Sequence, residues 1–248
     1  MDSDYIVGRN PVIEALKSER EVEKILVAKG ELKGSINKIL GIAKDKSIPV
    51  QYVDKNRLDT ISEGGLPHQG VAALVTPFKY STIEDILDIA KKTDEDPFIV
   101  ILDEIEDPHN LGSIIRTAEC AGVHGIIIPK RRSASVTMTV VKASAGAVEH
   151  MHIAKVNNIT NTILELKDNG LWIYGADMDA EEYYFERDFS GPKALVIGSE
   201  GKGISRLVKE NCDFLVKIPM LGDISSLNAS NAASILIYEA VRERYGKK

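Results

Sequence analysis

The first third of the chain alternates between helical and extended patterning. NPVIEALK (10–17) carries apolar residues at helical spacing, with Asn10 placed to cap and Pro11 suited to the first helical position. KILVA (24–28), PVQYV (49–53) and GVAALV (70–75) are short apolar runs that predict strands. Between them, SINKILGIAK (35–44) puts Ile36, Ile39, Leu40 and Ala43 on one helical face. DKNRLDTISEGG (54–65) predicts a short helix that Asp54 caps and the glycine pair ends. Residues 1–76 therefore predict a small α/β domain with enough chain for its own core.

Residues 77–97, PFKYSTIEDILDIAKKTDEDP, predict a linker that contains a helix. Ser81 and Glu84 have capping-box spacing, and Pro and acidic residues flank the stretch. Residues 98–248 then follow a different pattern. FIVIL (98–102), GIIIP (125–129), LWIYG (171–175), ALVIG (194–198) and FLVKIP (214–219) are continuous apolar runs, as expected of parallel strands covered on both faces. Helical patterning falls at 110–121, 137–145, 157–168, 204–210 and 229–244. The expected fold class is α/β, a parallel sheet with ligands bound beyond the C-terminal strand ends. The chain contains no internal repeat and no low-complexity tract.

Composition narrows the class of protein. Of 248 residues, 44% are hydrophobic and 27% charged, which is ordinary for a soluble globular chain. No apolar run approaches the ~20 residues needed to span a bilayer. The acidic start, MDSDYIVGRN, lacks the basic and apolar regions of a secretory signal, so a cytoplasmic protein with no membrane partner is expected. The two cysteines, Cys120 and Cys212, sit in apolar-patterned segments without metal-ligand spacing, which predicts reduced core thiols and no metal. The net charge of −6 argues against a broad basic surface but not against a local basic patch. Residues 1–76 are neutral, with 11 basic and 11 acidic side chains, so the whole excess lies beyond them. Lys130, Arg131 and Arg132 form the densest basic cluster.

Three strand-end loops carry the candidate chemistry. In DPHNLGSIIRTAECAG (107–122), Asn110 can cap the helix or bind a ligand through its amide. Gly112, Ser113 and Cys120 share the helical face of Arg116, leaving room for a ligand or a second backbone beside the guanidinium. The competing reading is a surface arginine paired with Glu119 or an upstream acid. In ALVIGSEGKGIS (194–205) the glycine order is G-x-x-G-x-G, which is neither the phosphate-binding loop nor the dinucleotide fingerprint. Gly198, Gly201 and Gly203 permit close backbone approach to a ligand, and Glu200 is a carboxylate set among them. In KIPMLGDISSLNASNAAS (217–234), Pro219 and Gly222 break the strand. Ser225, Ser226, Asn228, Ser230 and Asn231 then put five short polar side chains within seven residues, more than a helix cap needs. Asn110, Arg116, Glu200, Ser226 and Asn228 thus come from three strand-end loops of one sheet.

NLGSIIRTAECAG, LVIGSEGKGIS and IPMLGDISSLNASNAASILIYEA resemble, in order, spacing and character, the three motifs of the SpoU (TrmH-like) RNA ribose 2′-O-methyltransferases of the SPOUT class. IVGRNPVIEAL and PHQGVAALV are similar to the small RNA-binding domain that precedes the catalytic domain in the RlmB-type subgroup, which methylates a 23S ribosomal RNA guanosine. The resemblance implies a deep C-terminal trefoil knot, which hydrophobic patterning cannot show. It also implies a homodimer and S-adenosyl-L-methionine as cofactor. By the same resemblance, Gly198, Ile218 and Leu227 contact the cofactor largely through backbone, with Met220 and Glu200 close by.

The resemblance further implies that Asn110, Arg116, Glu200, Ser226 and Asn228 are the catalytic positions. The family's motif-one arginine, here Arg116, is commonly assigned as general base. A guanidinium pKa above about 12 fits that role badly. Stabilising the developing alkoxide and holding the adjacent phosphate fits it better. Arg9, Asn10, His68 and Gln69 are candidate RNA contacts in the N-terminal domain, with a simple helix cap the competing reading for Asn10. Lys130, Arg131 and Arg132 are candidates to grip the RNA backbone. Ribosomal RNA is the expected partner. The alternatives are the same chemistry on tRNA or on another ribosomal site, including a resistance methylation, or a non-catalytic RNA-binding or ribosome-assembly factor.

Overall fold

The computed structural model describes residues 4–30, 34–62 and 65–246. In chain order its elements are β1 (Asp4–Val7), α1 (Arg9–Lys17), β2 (Val22–Ala28), α2 (Ser35–Asp45), β3 (Val50–Val53), α3 (Lys55–Ile61), β4 (Val71–Val75), α4 (Ile83–Lys92), β5 (Phe98–Asp103) and α5 (Pro108–Cys120). They continue with β6 (Gly125–Pro129), α6 (Met138–Ala143), β7 (Ile153–Val156), α7 (Ile159–Asp168), β8 (Trp172–Ala176), β9 (Glu182–Tyr183), β10 (Lys193–Gly198), α8 (Arg206–Asn211), β11 (Phe214–Lys217) and α9 (Ala229–Gly246). Two compact units result: Met1–Lys79 with Ser135–His150, and Tyr80–Ala134 with Met151–Lys248.

The first unit holds a four-stranded sheet in the order β1-β4-β2-β3. β4 runs antiparallel to both β1 and β2, and β3 runs parallel to β2. One face of this sheet packs Val7, Leu26, Ala28 and Ala72 against Leu58 and Ile61 of α3. Strand β1 is too short and too close to the terminus to register as a sequence pattern. Helix α1 starts at Arg9 with Gly8 at the cap position, so Asn10 lies inside the helix and does not cap it. Gly8 has φ 99°, and a Cβ there would lie 2.4 Å from the Lys142 amine. Asp54 precedes α3 as expected but makes no side-chain cap hydrogen bond, and the helix ends at Ile61. The expected glycine stop includes Gly64, which lies outside the described residues.

Residues 135–150 fall within the second domain by sequence pattern, yet the structure packs them into the first unit. Arg20 Nη1 donates to Glu149 Oε1 at 2.7 Å, and both side chains are nearly fully buried. Burial pushes the Glu149 carboxyl above its usual range even beside Arg20. His150 Nε2 lies 2.9 Å from Glu14 Oε2, and Lys142 Nζ donates to the Pro67 carbonyl at 2.7 Å. Burial holds the Lys142 amine below its usual pKa.

The second unit holds seven strands in the order β7-β6-β5-β10-β8-β11-β9, all parallel. β5 and β10 are buried at every residue, which explains their unbroken apolar runs. Ile99, Ile101, Ile127, Ile173 and Val196 pack with Ile83, Ile86 and Leu87 of α4 and with Ile159, Ile163 and Leu166 of α7. Each such side chain contributes about 1.5–3 kcal/mol by leaving water.

Helix α4 is capped one residue later than its sequence suggests. Thr82 Oγ1 accepts from Asp85 N at 3.1 Å, and Asp85 Oδ2 accepts from Thr82 N at 2.8 Å. Ser81, the expected cap, instead donates its backbone N–H to Ile153 O at 2.8 Å. The expectation of two core thiols fails for Cys120, which is exposed at the end of α5. Cys212 is half-buried, donates to Val208 O at 3.3 Å, and is pushed up to about 12 by burial. Among the described residues no helix is long and apolar enough to cross a membrane.

Candidate active site

The three loops meet in the second unit beyond the C-terminal ends of β5, β10 and β11. Helix α5 is capped by Asp107, whose side chain accepts from His109 N at 2.9 Å, with Pro108 in the first helical position. Asn110 is therefore not the cap, and its amide is committed elsewhere. Asn110 Nδ2 donates to Glu200 Oε1 at 3.1 Å, and Asn228 Nδ2 donates to Asn110 Oδ1 at 2.9 Å. Asn228 Nδ2 also donates to Glu200 Oε1, as does Ala229 N at 3.2 Å. Three donors from two loops thus converge on one carboxylate oxygen at the start of α9, where the helix dipole also favours negative charge. Asn228 Oδ1 in turn accepts from Ser230 N at 2.9 Å and Ser230 Oγ at 2.6 Å, which fixes the amide's orientation.

The glycine-rich loop folds back on its own strand. Ser199 N donates to Gly203 O at 3.1 Å and Gly203 N to Ser199 O at 2.9 Å. A Cβ on Gly198 would lie 2.0 Å from the Gly203 carbonyl carbon and 2.2 Å from Ile204 N. Only glycine allows that approach. Asp103 closes β5 in register with Gly198, is buried, and accepts from Ser205 N at 2.7 Å through Oδ2. Asp103 is absent from the candidate residues named above. Its signal was a carboxylate ending an otherwise apolar strand.

Beside the turn lies an open pocket of about 670 Å³ including its mouth, lined by Gly198, Glu200, Ile218, Met220, Ser226 and Leu227, among others. Asp177 and Met178, also unremarked in the sequence, form another wall beyond β8. The backbone cradle at Gly198 and the mixed apolar and polar wall fit S-adenosylmethionine. Ser226 lines this wall and does not join the Glu200 cluster.

Arg116 is exposed on α5, about 9 Å further along the helix axis than Asn110. Among the described residues it makes no hydrogen bond or ion pair, so the competing reading of an arginine paired with Glu119 or an upstream acid finds no such pair. Its neighbour Thr117 faces α9, where Ser234 Oγ lies 3.1 Å away. Ser234 Oγ donates to Ser230 O at 2.8 Å, so Thr117 supplies the proton of that contact. Cys120, one turn beyond Arg116, has its thiol pKa raised by burial of the group and by Glu119, against a lowering pull from Arg116.

The remaining candidates stand apart from this cluster. Arg132 Nη1 donates to Glu104 Oε1 at 3.0 Å, and that bond raises its pKa. Lys130 and Arg131 are exposed without such partners among the described residues. In the first unit, Arg9 N donates to Gln69 Oε1 at 2.9 Å and Arg9 Nε to Gln69 O at 3.0 Å. His68 is buried, its Nδ1 accepting from Gly70 N at 2.9 Å and its Nε2 lying 3.0 Å from Asp59 Oδ1. Those bonds assign the proton to Nε2 and occupy both ring nitrogens. Arg9, His68 and Gln69 line one open hollow of the first unit, while Asn10 is exposed on α1.

A model of the SpoU rRNA methylase family matches residues 97–238, and one of the RNA 2′-O ribose methyltransferase substrate-binding domain matches residues 5–81. YacO of Bacillus subtilis strain 168, named as a TrmH-family tRNA/rRNA methyltransferase, is 50% identical over 241 residues, covering 97% of this chain and 96% of its own. The SpoU methyltransferase AviRb of Streptomyces viridochromogenes superposes with a TM-score of 0.81 at 28% identity, covering 99% of this chain and 91% of its own. AviRb has also been solved in complex with AdoMet. The A. aeolicus TrmH/SpoU tRNA modifying enzyme superposes with a TM-score of 0.57 at 29% identity, covering 65% of this chain and 85% of its own.

Proposed function

From the premise that this chain belongs to the SpoU/TrmH family of S-adenosylmethionine-dependent RNA 2′-O-methyltransferases, we propose that it methylates the ribose of a guanosine in 23S ribosomal RNA. The observation that carries the choice of RNA is the N-terminal unit, a substrate-binding domain set before the catalytic one. The A. aeolicus tRNA-modifying enzyme matches only 65% of this chain. We further infer a homodimer, a cytoplasmic setting and a C-terminal trefoil knot. The knot is supported by the return of β10 and β11 to interior positions of the sheet.

S-adenosylmethionine supplies, when bound, a methyl group activated by a sulfonium. Gly198, Ile218 and Leu227 hold it through backbone, with Met220 and Glu200 at its flank. The site must align the 2′-hydroxyl and withdraw its proton, and alignment alone supplies several kcal/mol, with about 7–11 as an upper range. Arg116 cannot accept that proton at neutral pH. It faces the developing alkoxide and the neighbouring phosphate, and a phosphate oxygen or water carries the proton away. Glu200 fixes Asn110 and Asn228, Asn110 orients the ribose, and Ser226 and Asn228 shape the rim for the substrate phosphate. Arg9, Asn10, Gln69, Lys130, Arg131 and Arg132 contact the RNA outside the reacting nucleotide, and buried His68 braces the turn at Gly70 beside Gln69.

The test is transfer of a radiolabelled methyl group from S-adenosylmethionine to unmodified 23S RNA, 16S RNA and bulk tRNA in parallel. Label in 23S RNA is the expected result. Label confined to tRNA or 16S RNA overturns the choice of substrate. No label in any RNA, with no cofactor binding, makes the chain a non-catalytic RNA-binding factor.

A further inference from the structure

The sheet of the first unit is only partly covered on the face that packs against α3. Leu58 and Ile61 close the end formed by Val7, Ala28 and Ala72. At the other end, Tyr5 and Lys24 flank Leu74 in one row across β1, β4 and β2, and Leu26 pairs with Gln51 of β3 in the next. This row borders an open groove with Tyr5, Lys24, Leu26, Gln51 and Arg57 in its walls.

Three observations bear on what fills it. Its exposed lining is mostly polar, Leu26 below it is only 3% exposed, and the Tyr5 ring stands half-buried at its side. Among the described residues, Lys24, Gln51 and Arg57 make no side-chain hydrogen bond or ion pair, so their donors are unspent. The groove's one acid, Asp54, is already paired with Lys29 at 3.0 Å, which leaves the two free cations dominant. A half-buried ring in a mostly polar groove, with cations and an amide at the margin, is the chemistry that takes a stacked base and its phosphates. Lys29 also borders the hollow that holds Arg9 and Gln69.

We propose that this groove is a second RNA subsite, in which single-stranded RNA flanking the target lies across the open sheet end. A base stacks on Tyr5, and Lys24 and Arg57 take two phosphates. The inference rests on the reading of this chain as an RNA methyltransferase and adds to it a sequence-tolerant grip outside the reacting nucleotide.

The test uses the full-length protein and a fluorescein-labelled oligouridine of about 12 nucleotides, within the usual site size for single-strand grooves. Anisotropy is read across a salt series. Lys24→Gln/Arg57→Gln is expected to lower the slope of log Kd against log salt by about 1.4, two contacts at about 0.7 each, and to weaken binding by about 25-fold at 0.1 M salt. Tyr5→Leu, which keeps apolar bulk without a ring face, is expected to weaken binding at least about fivefold and leave the slope unchanged. S-adenosylmethionine affinity stays constant in both. If Tyr5→Leu fails to fold, Lys24→Gln/Arg57→Gln decides alone. Unchanged affinity and slope in a folded Lys24→Gln/Arg57→Gln protein overturn the groove while leaving the function intact. So does an altered sedimentation mass with unchanged RNA binding, which would make the groove a protein-contact surface. A wild-type chain that binds no RNA sinks both.

Discussion

Gly198→Ala concentrates the strain of the cofactor turn in one methyl group. The added Cβ would meet backbone atoms of Gly203 and Ile204 at 2.0–2.2 Å, where ordinary contact begins near 3.4 Å. No rotamer relieves the clash, because the opposing atoms are main chain. The 199–203 turn must retreat by more than 1 Å, and it is held by two mutual backbone bonds and by the Asp103 carboxylate on Ser205 N. Overpacking of this kind costs about 1–3 kcal/mol. Because the turn is a wall of the pocket proposed for the cofactor, a retreat would fall on a cofactor bound there, and the same energy is roughly a 5- to 150-fold rise in Kd. Titration calorimetry with S-adenosylmethionine, alongside thermal unfolding, reads both places where the cost can appear. A variant with Kd within about twofold of wild type and an unchanged Tm would refute the claim that this glycine is required by the turn.

Other variants probe the rest of the site. Glu200→Gln keeps an acceptor for Asn110, Asn228 and Ala229 N and should retain most methyl transfer in a radiolabel assay. Glu200→Ala should lose at least about tenfold, since it leaves three donors without their shared acceptor, at about 0.5–1.5 kcal/mol per hydrogen bond; equal activity of the two would dismiss the cluster. Arg116→Lys should lower kcat about 100-fold or more with cofactor affinity intact, as for loss of an alkoxide-facing donor. Near-normal turnover would remove that role. A thiol reagent at pH 8 should modify Cys120 and spare Cys212 in the folded protein, because a thiol pushed up to about 12 is almost wholly protonated there. Two equally fast thiols would contradict the burial of Cys212.

The long apolar runs of β5, β6, β8 and β10 were legible because strands buried on both faces carry no competing polar signal. β1, β7 and β9 were not, being two to four residues long, with polar or charged residues among them. Cap assignments slipped where several eligible residues stood together: Asp107 and Thr82 hold the positions that Asn110 and Ser81 also suit by type. For the site, residue type and loop position marked Asn110, Glu200 and Asn228, and their bonds join them. Patterning could not reveal that Asp103 braces the turn, since that contact spans 102 positions of sequence. Nor could it reveal that residues 135–150 pack with the first unit, since Arg20 and Glu149 are separated by most of a domain.

The central claim, methylation on the ribose of a guanosine, is tested most directly by alkaline hydrolysis of 23S RNA labelled by this protein from radioactive S-adenosylmethionine. Alkali cleaves RNA through the 2′-hydroxyl, so a 2′-O-methyl group blocks the adjacent bond. The label is expected in an alkali-stable dinucleotide whose first residue is guanosine. Label released in mononucleotides would place the methyl group on a base and contradict ribose methylation.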